Sequence, residues 1–263
     1  MSVVLIKPNA KKKQYGNVIS LSAIEPPVWL ALYANQIPGA RVVDMEAENL
    51  GPEELVPRLQ AESAERAIIF ATGSHPSAHI QQTEVAEGLK ARVEQSLHIP
   101  VEVFTYLPFR PNEAGAVNWN LLPVERYRAH NWHAWGRPDK FYGATFSSVS
   151  CPFSCEFCCI KDFYRSEYAQ REPRLVEADI RALLGRGVTN FKMMDELFAI
   201  NNKGTRAVLE LLSAGGLGET INIWAYARID TVNAELLREL RRAGVRWLAY
   251  GIESGNEEIR RGV

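Results

Sequence analysis

Runs of consecutive apolar residues alternate along this chain with stretches in which apolar positions recur every three or four residues. Val3-Val4-Leu5-Ile6 has no polar interruption and predicts a strand buried on both faces, as in parallel sheets. Further strands are predicted over residues 41–45, 67–71 and 101–106. Between them, Glu25-Pro26-Pro27 opens a helix whose apolar face runs Val28, Trp29, Leu32, Tyr33, since proline is tolerated in a first helical turn. A weaker helix, marked by Pro57, is predicted over residues 52–62, and a longer one over 78–95. Strands alternating with helices at this spacing predict a doubly wound parallel sheet, whose ligands bind beyond the carboxyl ends of the strands. The candidate loops are residues 8–16, 72–77 and Leu107-Pro108. Lys11-Lys12-Lys13, within the first of them, reads most simply as a solvated loop, with contact to a ligand's phosphate as the lesser reading.

The second half repeats the alternation. A strand over residues 141–149 leads into a loop of cysteines, then helices and strands alternate to the end. The strands at residues 190–194, 221–227 and 245–250 end in Asp195-Glu196, in Arg228 with Asp230, and in Gly251-Ile252-Glu253-Ser254. Helices are predicted over residues 174–187, 205–214 and 233–243, and Asn256 begins another. This is the pattern of a parallel β/α barrel, in which chemistry sits at the carboxyl ends of the strands. Between the halves, residues 107–139 lack periodicity and carry Trp119, Trp132, Trp135 and His130 to His133. A connection this long is functional or disordered, and its aromatics argue against disorder. It reads either as a strap packing its tryptophans between two domains or as a wall of a cofactor cleft.

Composition narrows the class. The hydrophobic fraction of 46% suffices for packed cores, and a net charge of −1 draws the chain neither to nucleic acid nor to an anionic membrane. No apolar run is long enough to span a bilayer, and no secretion signal is visible at the start. Clustered cysteines without such a signal predict reduced thiols in a cytoplasm.

All four cysteines lie in Cys151-Pro152-Phe153-Ser154-Cys155-Glu156-Phe157-Cys158-Cys159. Cys151, Cys155 and Cys158 are spaced C-x-x-x-C-x-x-C, so one loop can wrap a small inorganic centre. Three thiolates on a four-iron cluster leave one iron open, whereas electron-transfer clusters use four. A structural zinc site also wants four ligands, usually as two separated pairs. Cys159 reads as a small buried apolar residue beside the ligands.

This spacing, with an aromatic residue just before its last cysteine, resembles the cluster loop of radical S-adenosylmethionine (SAM) enzymes. The strand ends extend the resemblance. By it, Asp195 and Glu196 would hold the SAM amino group and Arg228 its carboxylate. Gly251, Ile252, Glu253 and Ser254 would face ribose and adenine, with the backbone around Phe157 at the adenine edge. The first half resembles the cobalamin-binding domain that precedes many such enzymes. No G-x-G-x-x-G follows its first strand, and no P-loop occurs. Pro8, Asn9, Glu25, Pro26, Gly73, Ser74, Ser77 and Pro108 would lie against cobalamin. The Asp-x-His-x-x-Gly of histidine-ligating cobalamin domains is missing, so no histidine from that motif would bind cobalt, and His75 and His79 in a candidate loop read either as solvated or loop-capping or as cobalt ligands.

The resemblance implies a doubly wound Rossmann-like domain over residues 1–107, a linker over 108–140 and a partial radical SAM barrel over 141–263. It also implies a 4Fe–4S cluster, SAM and cobalamin, a small-molecule substrate, and an electron donor such as flavodoxin or ferredoxin. The expected reaction is methyl transfer to an unactivated carbon or phosphorus through a 5′-deoxyadenosyl radical and methylcobalamin. The alternatives are a rearrangement or cyclisation without methyl transfer, or a non-catalytic cofactor-binding fragment. The family barrel has six strands and four are legible, so the chain resembles the front of a longer enzyme.

Overall fold

β1 (Val3–Lys7) is buried along its whole length, as an uninterrupted apolar run requires of a strand covered on both faces. The computed structural model describes residues 2–72, 76–105, 110–137, 139–164 and 167–261. The chain divides into two units, Met1–Asn131 with Pro138–Phe141, and Trp132–Arg137 with Tyr142–Val263. Most of the stretch between the two predicted domains thus belongs to the first unit, and a six-residue piece of it to the second.

In the first unit, β1 is followed by α1 (Lys11–Tyr15), a 3₁₀ stretch over Gly16–Leu21, and α2 (Val28–Ala34). Then come β2 (Arg41–Asp44), α3 (Pro52–Ala61), β3 (Arg66–Phe70), α4 (Pro76–Leu97) and β4 (Val101–Phe104). The strands form one parallel sheet in the order β2-β1-β3-β4, so the winding reverses between β1 and β3. Side chains alternate across the pleat. Val4, Ile6, Ala67 and Ile69 pack with Leu55 and Leu59 of α3 and Leu89 and Val93 of α4. On the opposite face Phe70 and Phe104 meet Tyr33 of α2, with ring centroids 5.3 and 5.1 Å away. Helices therefore cover both faces, as the alternation predicts.

The expected polar loop over residues 8–16 is largely helical, since α1 occupies Lys11–Tyr15. Lys11 is not solvated; it is buried beside Lys7, Asp44 and Glu46. Lys7, at the end of β1, donates to the Glu25 carbonyl at 2.7 Å and pairs with Glu46 at 3.4 Å. Tyr127, from the aromatic stretch, donates to the buried Asp44 at 2.9 Å. Arg128 forms isolated antiparallel bridges with Ile24 and Phe141.

The second unit runs β5 (Tyr142–Thr145), β6 (Ser148–Val149), α5 (Ile160–Tyr164), β7 (Ala169–Gln170), α6 (Pro173–Leu184) and β8 (Asn190–Met193). It continues through α7 (Lys203–Ala214), α8 (Leu217–Thr220), β9 (Asn222–Arg228), α9 (Ala234–Arg242), β10 (Val245–Gly251) and α10 (Glu257–Arg261). Its main sheet is parallel in the order β10-β9-β8-β5, the four strands legible in the sequence. Two helix starts are capped by asparagines: Asn233 accepts from Leu236 N at 2.9 Å, and Asn202 from Thr205 N at 2.8 Å.

The strand expected over residues 141–149 is broken. It stops at Thr145, and Ser148–Val149 pairs antiparallel with β7 instead. The cause is local. Ser147 and Ser148 bond to Asp195, and Ser150 takes a left-handed φ of 63°, which turns the chain into the cysteine loop.

His133 is fully buried within the second unit. Its Nε2 lies 2.9 Å from the Asn222 carbonyl, and Asn222 Nδ2 returns a bond to the His133 carbonyl at 2.8 Å. This side chain cannot line an open cleft. Nor do the three tryptophans form one strap: Trp119 is buried, Trp132 packs edge-on to Trp224 and Trp247, and Trp135 is 81% exposed.

Candidate active site

The carboxyl ends of β8, β9 and β10 bring the chemically active residues of the second unit to one edge of its sheet. The cysteine loop joins them through Arg228. Arg228 Nη1 donates to Cys155 Sγ at 3.0 Å, while Nε and Nη2 both grip Asp230 at 2.9 Å. The guanidinium also sits 4.4 Å from the centroid of Phe153 in the same loop. A cavity of about 260 Å³ opens here, lined by Arg228, Gly251, Ile252, Glu253 and Arg260. Four residues that the sequence placed against SAM thus share one pocket. Ser254 Oγ accepts from Asn256 N at 3.0 Å and helps start α10. Phe157 projects from the loop, 57% exposed.

Glu253 stands at a positive φ of 62°, a conformation a non-glycine residue holds only when its surroundings impose it. Its carboxylate folds back over Gly251.

Asp195 is held by the chain itself. It is 1% exposed and accepts from Ser147 N at 2.9 Å, Ser147 Oγ at 2.6 Å and Ser148 Oγ at 2.7 Å. Burial raises its pKa above the ordinary aspartate value, against the pull of those donors. With both oxygens accepting bonds, Asp195 anchors the chain entering the cysteine loop. Glu196, next along, is half-buried and accepts from Tyr164 OH at 2.9 Å. Burial raises its pKa too, while Lys192 pulls it down. Lys192 lies inside β8 with its Nζ 5.0 Å from the Trp224 ring. Sequence reading missed Tyr164 and Lys192, because neither belongs to a motif and both act through a neighbour.

Cys151 and Cys155 are half-buried, and Cys158 and Cys159 are exposed. Cys159 is thus not the buried apolar residue expected; Ile160, the first residue of α5, takes that position. Burial raises the Cys151 thiol pKa, and the nearby Cys158, Cys155 and Glu196 add to the rise. The three motif thiols are therefore within electrostatic reach of one another. Among the described residues no three His, Cys, Asp or Glu side chains converge closely enough to hold a metal ion. Thiols that repel one another when ionised gain from convergence only when a cation offsets the repulsion. The donor set itself, three thiols from one accessible loop, suits a soft iron–sulfur centre.

In the first unit the expected cofactor contacts divide. Pro8 and Pro26 are buried, and Asn9 bonds within the unit, to Leu50 O and Lys11 N at 3.3 Å each. Glu25 is half-buried, its carbonyl held by Lys7. Gly73, Ser74, His75 and Pro108 lie outside the described residues, as do the side chains of Ser77 and His79. In the second turn of α4, Gln82 is buried and its Oε1 meets no donor among the described residues. An orphaned acceptor near the carboxyl edge of the sheet suits a ligand that carries N–H groups.

The parallel sheet, three-cysteine loop and polar strand-end pocket lie in the part of the chain that a known family matches. Residues 146–263 match the Radical SAM superfamily, a family that uses a 4Fe–4S cluster and SAM. Among curated relatives, an uncharacterized methyltransferase of Pyrococcus horikoshii, PH0819, is 26% identical over 143 residues, covering 54% of this chain and 29% of its own length. The anaerobic magnesium-protoporphyrin IX monomethyl ester cyclase of Cereibacter sphaeroides is 34% identical over 107 residues, 40% of this chain and 17% of that protein. The chain therefore spans less than a third of the curated relatives it matches.

The fold resembles that of the radical SAM methyltransferase TsrM from Kitasatospora setae, solved with tryptophan substrate and a SAM analog. The TM-score is 0.61 at 15% identity, over 97% of this chain and 60% of that one. Another structure of TsrM holds cobalamin and a [4Fe-4S] cluster, with a TM-score of 0.61 and 15% identity over 98% of this chain and 62% of that one. The cobalamin-dependent SAM radical enzyme OxsB gives a TM-score of 0.60 at 14% identity, over 99% of this chain and 45% of that one. Among the described residues no helix is long and apolar enough to cross a membrane.

Proposed function

We propose that the chain is the cofactor-binding part of a cobalamin-dependent radical SAM methyltransferase acting on an unactivated carbon or phosphorus centre of a small molecule. The observation that carries the SAM site is the strand-end pocket of Arg228, Gly251, Ile252 and Glu253, tied to the cysteine loop by the Arg228–Cys155 bond. Cys151, Cys155 and Cys158 would hold the cluster, which when bound supplies one-electron reduction of the SAM sulfonium. Glu196, not the enclosed Asp195, is left to meet the SAM amino group. Glu253 offers its carboxylate to the ribose hydroxyls, and Phe157 brings the loop backbone to the adenine. Asp195, through Ser147 and Ser148, fixes where the loop leaves the sheet.

The first unit would hold cobalamin at the carboxyl edge of its sheet. Support comes from the winding reversal between β1 and β3, the Gln82 acceptor that meets no donor among the described residues, and the likeness to a chain solved with that cofactor. An external low-potential protein such as flavodoxin or ferredoxin would deliver electrons. A second reading, ring closure without methyl transfer, is favoured by the 34% identity to the cyclase.

The test is anaerobic reconstitution followed by reduction. Release of 5′-deoxyadenosine and methionine from SAM supports the radical reading, and a fully loaded, reduced protein that leaves SAM intact refutes it. Transfer of isotopically labelled methyl from methylcobalamin to a product favours methyl transfer over ring closure.

A further inference from the structure

Arg228 reaches the end of β9 with its three nitrogens engaged, Nη1 on Cys155 Sγ and the other two on Asp230. Its charge also lies over Phe153, so one side chain touches two positions of the cysteine loop. A guanidinium meant chiefly for a ligand carboxylate would present its paired N–H fork outward; here Asp230 fills that fork. A guanidinium stays protonated in proteins. The group facing the sulfur is therefore a permanent cation.

We propose that Arg228 is a positioning residue for the cysteine loop, whose bond to Cys155 Sγ holds that ligand in place and raises the reduction potential of the centre the loop carries. The proposal rests on the reading that Cys151, Cys155 and Cys158 bind an iron–sulfur cluster. Reduction adds one electron to such a centre and makes it more negative. An N–H donor on a ligand sulfur stabilises the more negative state, so the potential rises. Asp230 works in the opposite sense, because its charge lies close behind the donor. Arg228 and Asp230 thus set the potential from both sides.

The test uses the full chain, reconstituted with iron and sulfide, as wild type and as Arg228→Met, Arg228→Lys and Asp230→Asn. Iron and sulfide content are measured first, then the potential by paramagnetic resonance during a mediated dithionite titration. Wild type without a cluster overturns the cluster reading, and the present proposal with it. With the cluster loaded, Arg228→Met is expected to lower the reduced-to-oxidised ratio at a fixed potential about tenfold, a shift of ~59 mV for one electron. Arg228→Lys retains the charge without the fork and is expected to fall between Arg228→Met and wild type. Asp230→Asn keeps an acceptor for Arg228 but removes the anion, and is expected to shift the potential upward. A merely structural Arg228 would leave all loaded variants at the wild-type potential, or shift Arg228→Met and Asp230→Asn in the same direction; either result overturns the proposal. Should Arg228→Met fail to load, the Asp230→Asn shift alone decides: upward supports the proposal, unchanged or downward overturns it.

Discussion

Tyr127 donates its hydroxyl to Asp44 at 2.9 Å, joining the aromatic stretch to the end of β2 across 83 positions of chain. Burial holds the phenol well above its usual pKa, with Asp44 adding to the rise, so the group stays a donor. Asp44 also accepts from the backbone N–H groups of Glu46 and Ala47. Tyr127→Phe leaves a buried carboxylate one donor short, and is expected to cost about 1–3 kcal/mol in urea unfolding. A change of only a few tenths would show that water replaces the phenol.

Lys7 gives stability a pH dependence. Burial works against its charge, but Asp44, Glu46 and Glu25 together outweigh that and raise its pKa above 10.5. A lysine that binds its proton more tightly when folded contributes fully below 10.5, and loses that contribution as pH rises through the folded value. Wild type should therefore weaken on going above pH 10.5, and Lys7→Met should weaken less over the same interval. At neutral pH Lys7→Met, by stranding buried carboxylates, should cost about 3–5 kcal/mol. Denaturant melts at several pH values check both.

Arg171 and Asp179 form an ion pair at 2.6 Å with neither side chain exposed, and Thr145 donates to the same carboxylate at 2.8 Å. Breaking it from one side strands a charge, so Arg171→Met should cost about 3–5 kcal/mol. Replacing both partners by apolar residues should recover much of the loss. If the double variant is as unstable as the single one, the pair is not the source.

The cysteine assignment predicts a clean split. Ala at Cys151, Cys155 or Cys158 should abolish iron incorporation, while Cys159→Ala should retain about four irons per chain. The reverse pattern at Cys158 and Cys159 would move the third ligand by one position.

Glu196 predicts a pH dependence of ligand binding. Its charged form is the one that attracts an ammonium group, and burial raises its pKa above 4.5. SAM affinity for the reconstituted chain should therefore fall as pH drops through that raised value, and Glu196→Gln should weaken binding and flatten the profile. Titration calorimetry across the acidic range reads both, and an unchanged profile would remove Glu196 from the site.

The sequence alone settled the periodic elements. The uninterrupted run in β1, the helix opened by Glu25-Pro26-Pro27, the Asn233 cap and the four strands of the second sheet all follow from local patterning. Local patterning also placed Cys151, Cys155 and Cys158 in one loop and Arg228, Gly251 and Glu253 at strand ends, because parallel β/α units put their polar residues there. It could not show where each polar side chain turns. Asp195 faces inward because the break after Thr145 brings two serines beneath it, and that break is a tertiary event. Arg228 turns to Cys155 because β9 ends beside a loop more than seventy residues earlier in the chain. His133 is drawn into the sheet by Asn222, 89 positions away. Periodicity records which face of an element is apolar; the partners of its few polar atoms are fixed only when distant segments meet.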